Sequence, residues 1–133
     1  GCRQSRHLRY VDPRRFRQLL TNLLSNAFSA LAASPGAESG ICIEAREQEG
    51  KQILLFCNQG SPIPEVIRER IFMPFVSRFE GGTGLGLAIV ARIMEAHGGC
   101  VNLIEREGWN TCFKLSFPKR GQDGGSRAYS VGG

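Results

Sequence analysis

From Asp12 to Ala33 the apolar positions Phe16, Leu19, Leu20, Leu23, Leu24, Ala27, Phe28 and Leu31 recur at i, i+3, i+4 and i+7, the period of a helix that buries one face. Asp12 suits the cap of that helix and Pro13 its first position, and Ser34-Pro35-Gly36 ends it. The period then drops to two. Ile41, Ile43 and Ala45 alternate with Cys42, Glu44 and Arg46, as in a half-buried strand. Glu49-Gly50-Lys51 predicts a turn, and Ile53–Cys57 the returning strand. A loop at Asn58–Pro64 leads to a short helix near Glu65–Phe72, an irregular stretch at Met73–Gly82 and a helix from Thr83 to Ala96 that stops at His97-Gly98-Gly99. Two more strands, Cys100–Glu105 and Thr111–Phe117, join near Gly108. Hairpin-linked strands pair antiparallel, and the long helices must bury their apolar faces on one side of the sheet. The expected fold class is α+β, a two-layer sandwich with a mostly antiparallel sheet covered on one face by helices.

Composition narrows the class. The 133 residues, 41% hydrophobic and 22% charged, suit one globular domain with a core of its own. The domain is expected over residues 8–118, between a flexible flank at 1–7 and a Gly/Ser-rich tail at 119–133 read as disordered. No apolar run approaches the ~20 residues of a bilayer span, and no apolar segment follows the basic start as a secretory signal requires. No membrane contact is expected. The 17 basic residues against 12 acidic ones leave a net charge of +5. That excess is mild, so it reads as a solvated flank rather than a nucleic-acid surface. The five cysteines are odd in number and form no CxxC pair, which indicates neither a zinc site nor a disulfide framework. Cys42, Cys57, Cys100 and Cys112 are read as free, small hydrophobes in strands, consistent with a reducing cytoplasm.

Three polar features stand where packing alone would not put them. Asn22 and Asn26 lie one turn apart at the border of the first helix's apolar stripe, although Asn is a poor interior helix residue. Cys57-Asn58-Gln59-Gly60-Ser61-Pro62-Ile63-Pro64 ends a strand in a polar residue, with a glycine that permits close backbone approach. Gly81-Gly82-Thr83-Gly84-Leu85-Gly86-Leu87 runs into a helix whose first turn offers N–H groups and a positive dipole end, an arrangement that receives phosphate. No Lys-Ser/Thr follows as in a Walker loop, and no βαβ unit surrounds it as in a dinucleotide fold.

Taken together, LLTNLLSNAFSAL, CNQGSPIP, RIFMPFVSRF, GGTGLGLAIV and the HGG at 97–99 resemble the ATP-binding catalytic domain of sensor histidine kinases. That domain belongs to the gyrase, chaperone, histidine kinase and mismatch-repair superfamily, whose fold is the Bergerat type. The resemblance covers roughly residues 8–118 and is nearest the nitrogen-regulation kinases. It implies ATP and Mg²⁺ as ligands, with Asn26 holding the metal and Asn22 assisting one turn earlier. ATP-hydrolysing members carry Glu at the place of Asn22, and an amide cannot accept a proton from water. Asn58 matches the position that reads the adenine amino group, where the family usually has Asp, and Gly60 and Ile63 match residues lining the adenine site. The loop at 73–82 matches a mobile lid, in which Arg78 stands as the phosphate cation. Thr83, Gly84, Leu85, Gly86 and Leu87 match the triphosphate cradle.

The resemblance further implies transfer of the γ-phosphoryl group to a histidine on a dimerisation domain outside this chain, and a response regulator acting through that domain. Neither His7 nor His97 has the context of the phosphoacceptor, so no residue here is assigned a catalytic role; His97 reads as a helix cap. Two alternatives remain open: a nucleotide-binding or regulatory module without kinase activity, and a serine kinase of the anti-sigma type.

Overall fold

The computed structural model describes residues 12–34, 40–77 and 82–118. The flank at 1–7, His7, Arg78 and the tail at 119–133 lie outside them. Helix α1 spans Pro13–Ala32, and the Asp12 carboxylate accepts from the Arg14 N–H at 2.9 Å to cap it. Strand β1 (Ile41–Gln48) turns at Glu49-Gly50 into β2 (Lys51–Asn58). A 3₁₀ segment at Glu65–Arg70 replaces the expected short α-helix. Helix α2 runs over Gly86–Ala96, three residues later than the glycine run suggests, because Gly84 adopts a left-handed φ of 75° that an α-helix cannot contain. Strands β3 (Cys100–Arg106) and β4 (Trp109–Phe117) complete a four-stranded antiparallel sheet in the order β1-β2-β4-β3.

The two faces of the sheet follow from register. Asn58, Phe56 and Leu54 pair with Thr111, Phe113 and Leu115, and the apolar members of this face pack under both helices. Leu19 and Leu23 of α1 and Val90, Ile93 and Met94 of α2 join Phe56, Phe113, Leu115 and Phe117 in one core. At its end, His97 couples the helices. Its Nδ1–H donates to the Ile93 carbonyl at 2.8 Å while Nε2 accepts from the Asp12 N–H at 3.2 Å. The expected cap therefore also fixes the start of α1 against the end of α2.

The opposite face carries a smaller apolar cluster of Ile53, Leu55, Cys57 and Cys112, with Cys42, Ile104 and Trp109 against it. Cys57 and Cys112 are register partners with Cα atoms 4.1 Å apart and are joined as a disulfide. This corrects the expectation that both are free. The pairing arises from strand register across 55 residues, which local cysteine spacing does not reveal. Arg106 reaches over the cluster from β3 to β1, donating to Glu44 Oε1 at 2.8 Å and approaching Cys57 Sγ at 3.5 Å.

Candidate functional site

One cavity, of about 390 Å³, opens between α1, the residues after the 3₁₀ segment and the start of α2. Helical spacing brings Asn22, Ser25, Asn26 and Ser29 to it from α1; Thr83, Gly84, Leu85, Gly86 and Leu87 enclose it from the other side. The chain reaches this second wall through a tight crossing. A Cβ on Gly84 would stand 2.6 Å from Phe75 Cα, so only glycine fits where the two backbones meet. Thr83 Oγ1 then accepts from the Leu85 N–H at 3.2 Å. The next N–H groups, at the first turn of α2, have no acceptor within the helix and point their positive dipole end outward.

The cavity is lined by amides, hydroxyls, backbone and aliphatic groups, with no carboxylate among its described residues. Asn22 Nδ2 is buried there without a hydrogen-bond partner. An orphaned buried donor costs about 1–3 kcal/mol and is relieved by an anionic oxygen. The lining therefore suits a polyanion received by neutral donors. No group of three or more His, Cys, Asp or Glu able to hold a metal ion occurs among the described residues. The donor set fits a hard cation only where phosphate and water supply most of its ligands and one protein oxygen, such as the amide oxygen of Asn26, completes them.

Asn22, Asn26, Thr83, Gly84, Leu85, Gly86 and Leu87 thus meet around a single cavity. Gly60 does not line it. A Cβ there would overlap the Ala30 backbone, and the neighbouring Ser61 N–H donates to the Ala30 carbonyl at 2.9 Å. The close approach that Gly60 permits is to α1. Asn58 is 1% exposed on the inner face of the sheet, and its Oδ1 accepts from the Gly60 N–H at 2.9 Å. A carbonyl oxygen has a second lone pair, so this bond leaves one acceptor position. Ile63 lines a second cavity of about 440 Å³ beside Leu103 and Thr111.

Thr111 is a residue that motif reasoning passes over. It is the register partner of Asn58, 3% exposed, and its Oγ1 has no partner. A hydroxyl at the start of a strand segment reads from sequence as ordinary β-propensity; only the pairing with Asn58 marks it. Asn110 is a second such residue. Its Nδ2 donates to the carbonyls of Gln59 at 3.0 Å and Gly60 at 2.8 Å, and Gln59 Nε2 returns a bond to the Gly108 carbonyl at 3.2 Å. The β3–β4 turn thereby clasps the loop that follows Asn58.

Comparisons with known proteins agree with this geometry. Residues 11–121 match the family described as histidine kinase-, DNA gyrase B-, and HSP90-like ATPase. The nitrogen regulation protein NtrY of Azorhizobium caulinodans is 37% identical over 114 residues, covering 83% of this chain and 15% of that protein. The sensor histidine kinase ZraS of Salmonella typhimurium is 35% identical over 109 residues, covering 81% of this chain and 23% of its own length. The chain therefore spans a minor part of these relatives. Among solved structures, the catalytic domain of histidine kinase ThkA superposes with a TM-score of 0.68 at 37% identity, covering 82% of this chain and 69% of that one.

Proposed function

Because the chain belongs to the histidine kinase-, DNA gyrase B- and HSP90-like ATPase family, we propose that it binds Mg-ATP and presents the γ-phosphoryl group to a histidine of a separate dimerisation domain, as the catalytic domain of a two-component sensor kinase. The observation that carries this reading is the unpartnered Asn22 Nδ2 in a cavity walled by Asn26 and the first turn of α2. Asn22 and the α2 N–H groups would receive phosphate oxygens, and Asn26 would hold the metal, whose charge offsets that of the triphosphate. Arg78, which lies outside the described residues, is the phosphate cation that the family resemblance suggests. Asn58, with Thr111 and Ile63, would hold adenine where the two inner strands end.

The chain's own groups favour transfer over hydrolysis. Neither Asn22 nor Asn26 can take a proton from water, and no carboxylate lines the cavity among the described residues. A reaction that moves phosphoryl to an already neutral imidazole needs positioning more than a strong base. His97 is unsuited as acceptor, since both ring nitrogens are engaged. Histidine kinase ThkA has been solved in complex with the response regulator protein TrrA, and a response regulator is the corresponding partner proposed here, reached through the phosphorylated domain. No helix among the described residues is long and apolar enough to cross a membrane. The proposed use of ATP supports a cytoplasmic location for this module.

Calorimetric titration with ADP, with and without Mg²⁺, followed by labelled ATP and a supplied dimerisation domain, tests the proposal. Metal-dependent binding with acid-labile, base-stable label on the supplied domain supports it. Binding without transfer supports the second reading, a regulatory nucleotide-binding module, which the engagement of Asn58 Oδ1 by Gly60 favours. Absence of nucleotide binding removes both.

A further inference from the structure

Three cysteines stand in one row across the outer face of the sheet. Cys42 of β1 is the register partner of Cys57, and Cys57 is the register partner of Cys112. Directly paired residues of antiparallel strands point to the same face, so all three thiols share the surface remote from the nucleotide cavity. The row has a buried end and an open end. Cys57 and Cys112 are each 1% exposed, whereas Cys42 is a free, half-buried thiol on the edge strand.

The spacing across the row follows from the ladder. The 4.1 Å separation of the Cys57 and Cys112 Cα atoms marks the narrow, non-hydrogen-bonded kind of pair. The N–H and C=O of Cys57 then face β1, which makes Cys42 and Cys57 the wide pair, about 5.5 Å between Cα atoms. That value lies inside the range a disulfide spans. Cys57 can therefore bond to either neighbour without strand movement. Arg106 stands beside this sulfur at 3.5 Å and offers positive charge to a thiolate formed next to it.

We propose that Cys42, Cys57 and Cys112 form a thiol–disulfide exchange site, with Cys42 as the relay through which small thiols reach the buried Cys57–Cys112 bond. The Cys42 thiolate attacks Cys57 Sγ. A Cys42–Cys57 disulfide forms and Cys112 leaves as thiolate. A small thiol in solution then attacks the half-buried Cys42 sulfur at the open end of the row, forming a mixed disulfide and releasing the Cys57 thiolate. A second molecule of the same thiol frees Cys42 and departs as the small disulfide. The net reaction consumes one protein disulfide and two small thiols and yields two protein thiols and one small disulfide. The ligand class is a low-molecular-weight thiol of the glutathione type.

The test uses the full chain in a Cys2→Ser/Cys100→Ser background, first equilibrated with oxidised glutathione. Reduced glutathione is then added, samples are acid-quenched and alkylated, and peptide masses follow the Cys57–Cys112 link. We expect Cys42→Ser to slow its loss at least tenfold at an unchanged melting temperature. In a Cys112→Ser chain, oxidised glutathione should yield a peptide joining Cys42 to Cys57. Equal reduction rates with and without Cys42 overturn the proposal. So does a Cys112→Ser chain that holds only glutathione on Cys42, or alkylation of Cys57 and Cys112 after the oxidising step.

Discussion

The backbone N–H of Phe75 donates to the Gly84 carbonyl at 2.8 Å, and both residues lie in the left-handed region, at φ 69° and 75°. This bond ties Phe75 to Gly84, and the described residues next to them, Val76, Ser77, Gly82 and Thr83, all reach the cavity wall. Phe75 is not glycine and is 79% exposed. Such a backbone state costs on the order of 1–3 kcal/mol, and the bond to Gly84 holds it in place.

Gly84→Ala tests that tie. The added Cβ meets the Phe75 backbone, and a side chain in the left-handed region costs roughly 1–2 kcal/mol besides. The wall formed by Thr83–Leu87 should shift, weakening ADP at least tenfold by calorimetry while far-ultraviolet circular dichroism stays that of the parent. Unchanged ADP affinity would show that the tie is unrelated to the nucleotide.

The two asparagines of α1 should separate cleanly. Asn22→Leu replaces an unpartnered buried donor by an apolar group of similar size. It should stabilise the nucleotide-free protein by the order of 1 kcal/mol, read as a raised melting temperature, and lower ATP affinity. Asn26→Ala should weaken Mg-ATP more than ATP in chelator, because only the first involves the metal. Equal losses under both conditions would remove Asn26 from the metal.

Much of this was legible in the chain. The 3.6-residue period from Phe16 to Leu31 and the capping Asp12 mark α1 to within a residue or two. The alternation at Ile41–Arg46 marks β1. Asn22 and Asn26 announce themselves because Asn is unfavourable inside a helix, and the glycines at 81–86 because they run into a helix whose first turn can receive phosphate. What stayed hidden depends on register. Thr111 beside Asn58, Cys57 beside Cys112 and Arg106 reaching Glu44 are pairs 53, 55 and 62 residues apart, and no local pattern encodes which strand positions meet. The engagement of Gly60 with α1 was hidden for the same reason.

Asn110 holds the loop after Asn58 through two carbonyls. Each neutral bond contributes about 0.5–1.5 kcal/mol. Asn110→Asp keeps the shape but cannot donate, so it should weaken ADP about as much as Asn110→Ala, five- to tenfold, with little change in the sheet's thermal stability. Wild-type affinity in both variants would mean that the clasp does not position the adenine loop.

Glu44 receives Arg46 at 2.7 Å and Arg106 at 2.8 Å. These bonds, Arg46 first, hold its carboxyl below the ordinary value of 4.5. A folded-state value below the unfolded one gives stability that is fully present above the unfolded value and lost as pH falls through the folded one. The melting temperature of the parent should therefore fall below about pH 4.5 more steeply than that of Glu44→Gln. The difference should shrink in high salt, because the pair is solvent-accessible. Parallel curves for the two proteins would show that the bridge contributes nothing measurable.

Asn58 stands at the end of β2, buried against Thr111, with its Oδ1 already accepting from Gly60. If it also receives the adenine amine, the same oxygen serves both donors through its two lone pairs. Asn58→Asp would supply two oxygens and a charge, one for Gly60 and one for the amine. A hydrogen bond to a charged group contributes about 1.5–3 kcal/mol against about 0.5–1.5 for a neutral one, a gain of about tenfold in affinity before the cost of burying a carboxylate is deducted. The substitution should therefore tighten ADP by up to an order of magnitude. It should not tighten GDP, because guanine presents an acceptor oxygen where adenine presents its amine, and two acceptors repel. An equal gain for both nucleotides would mean that the charge acts on the loop rather than on the base. No gain for either would make Asn58 a turn residue whose bond to Gly60 is its whole role, and would shift the balance towards a module that binds nucleotide weakly and transfers nothing.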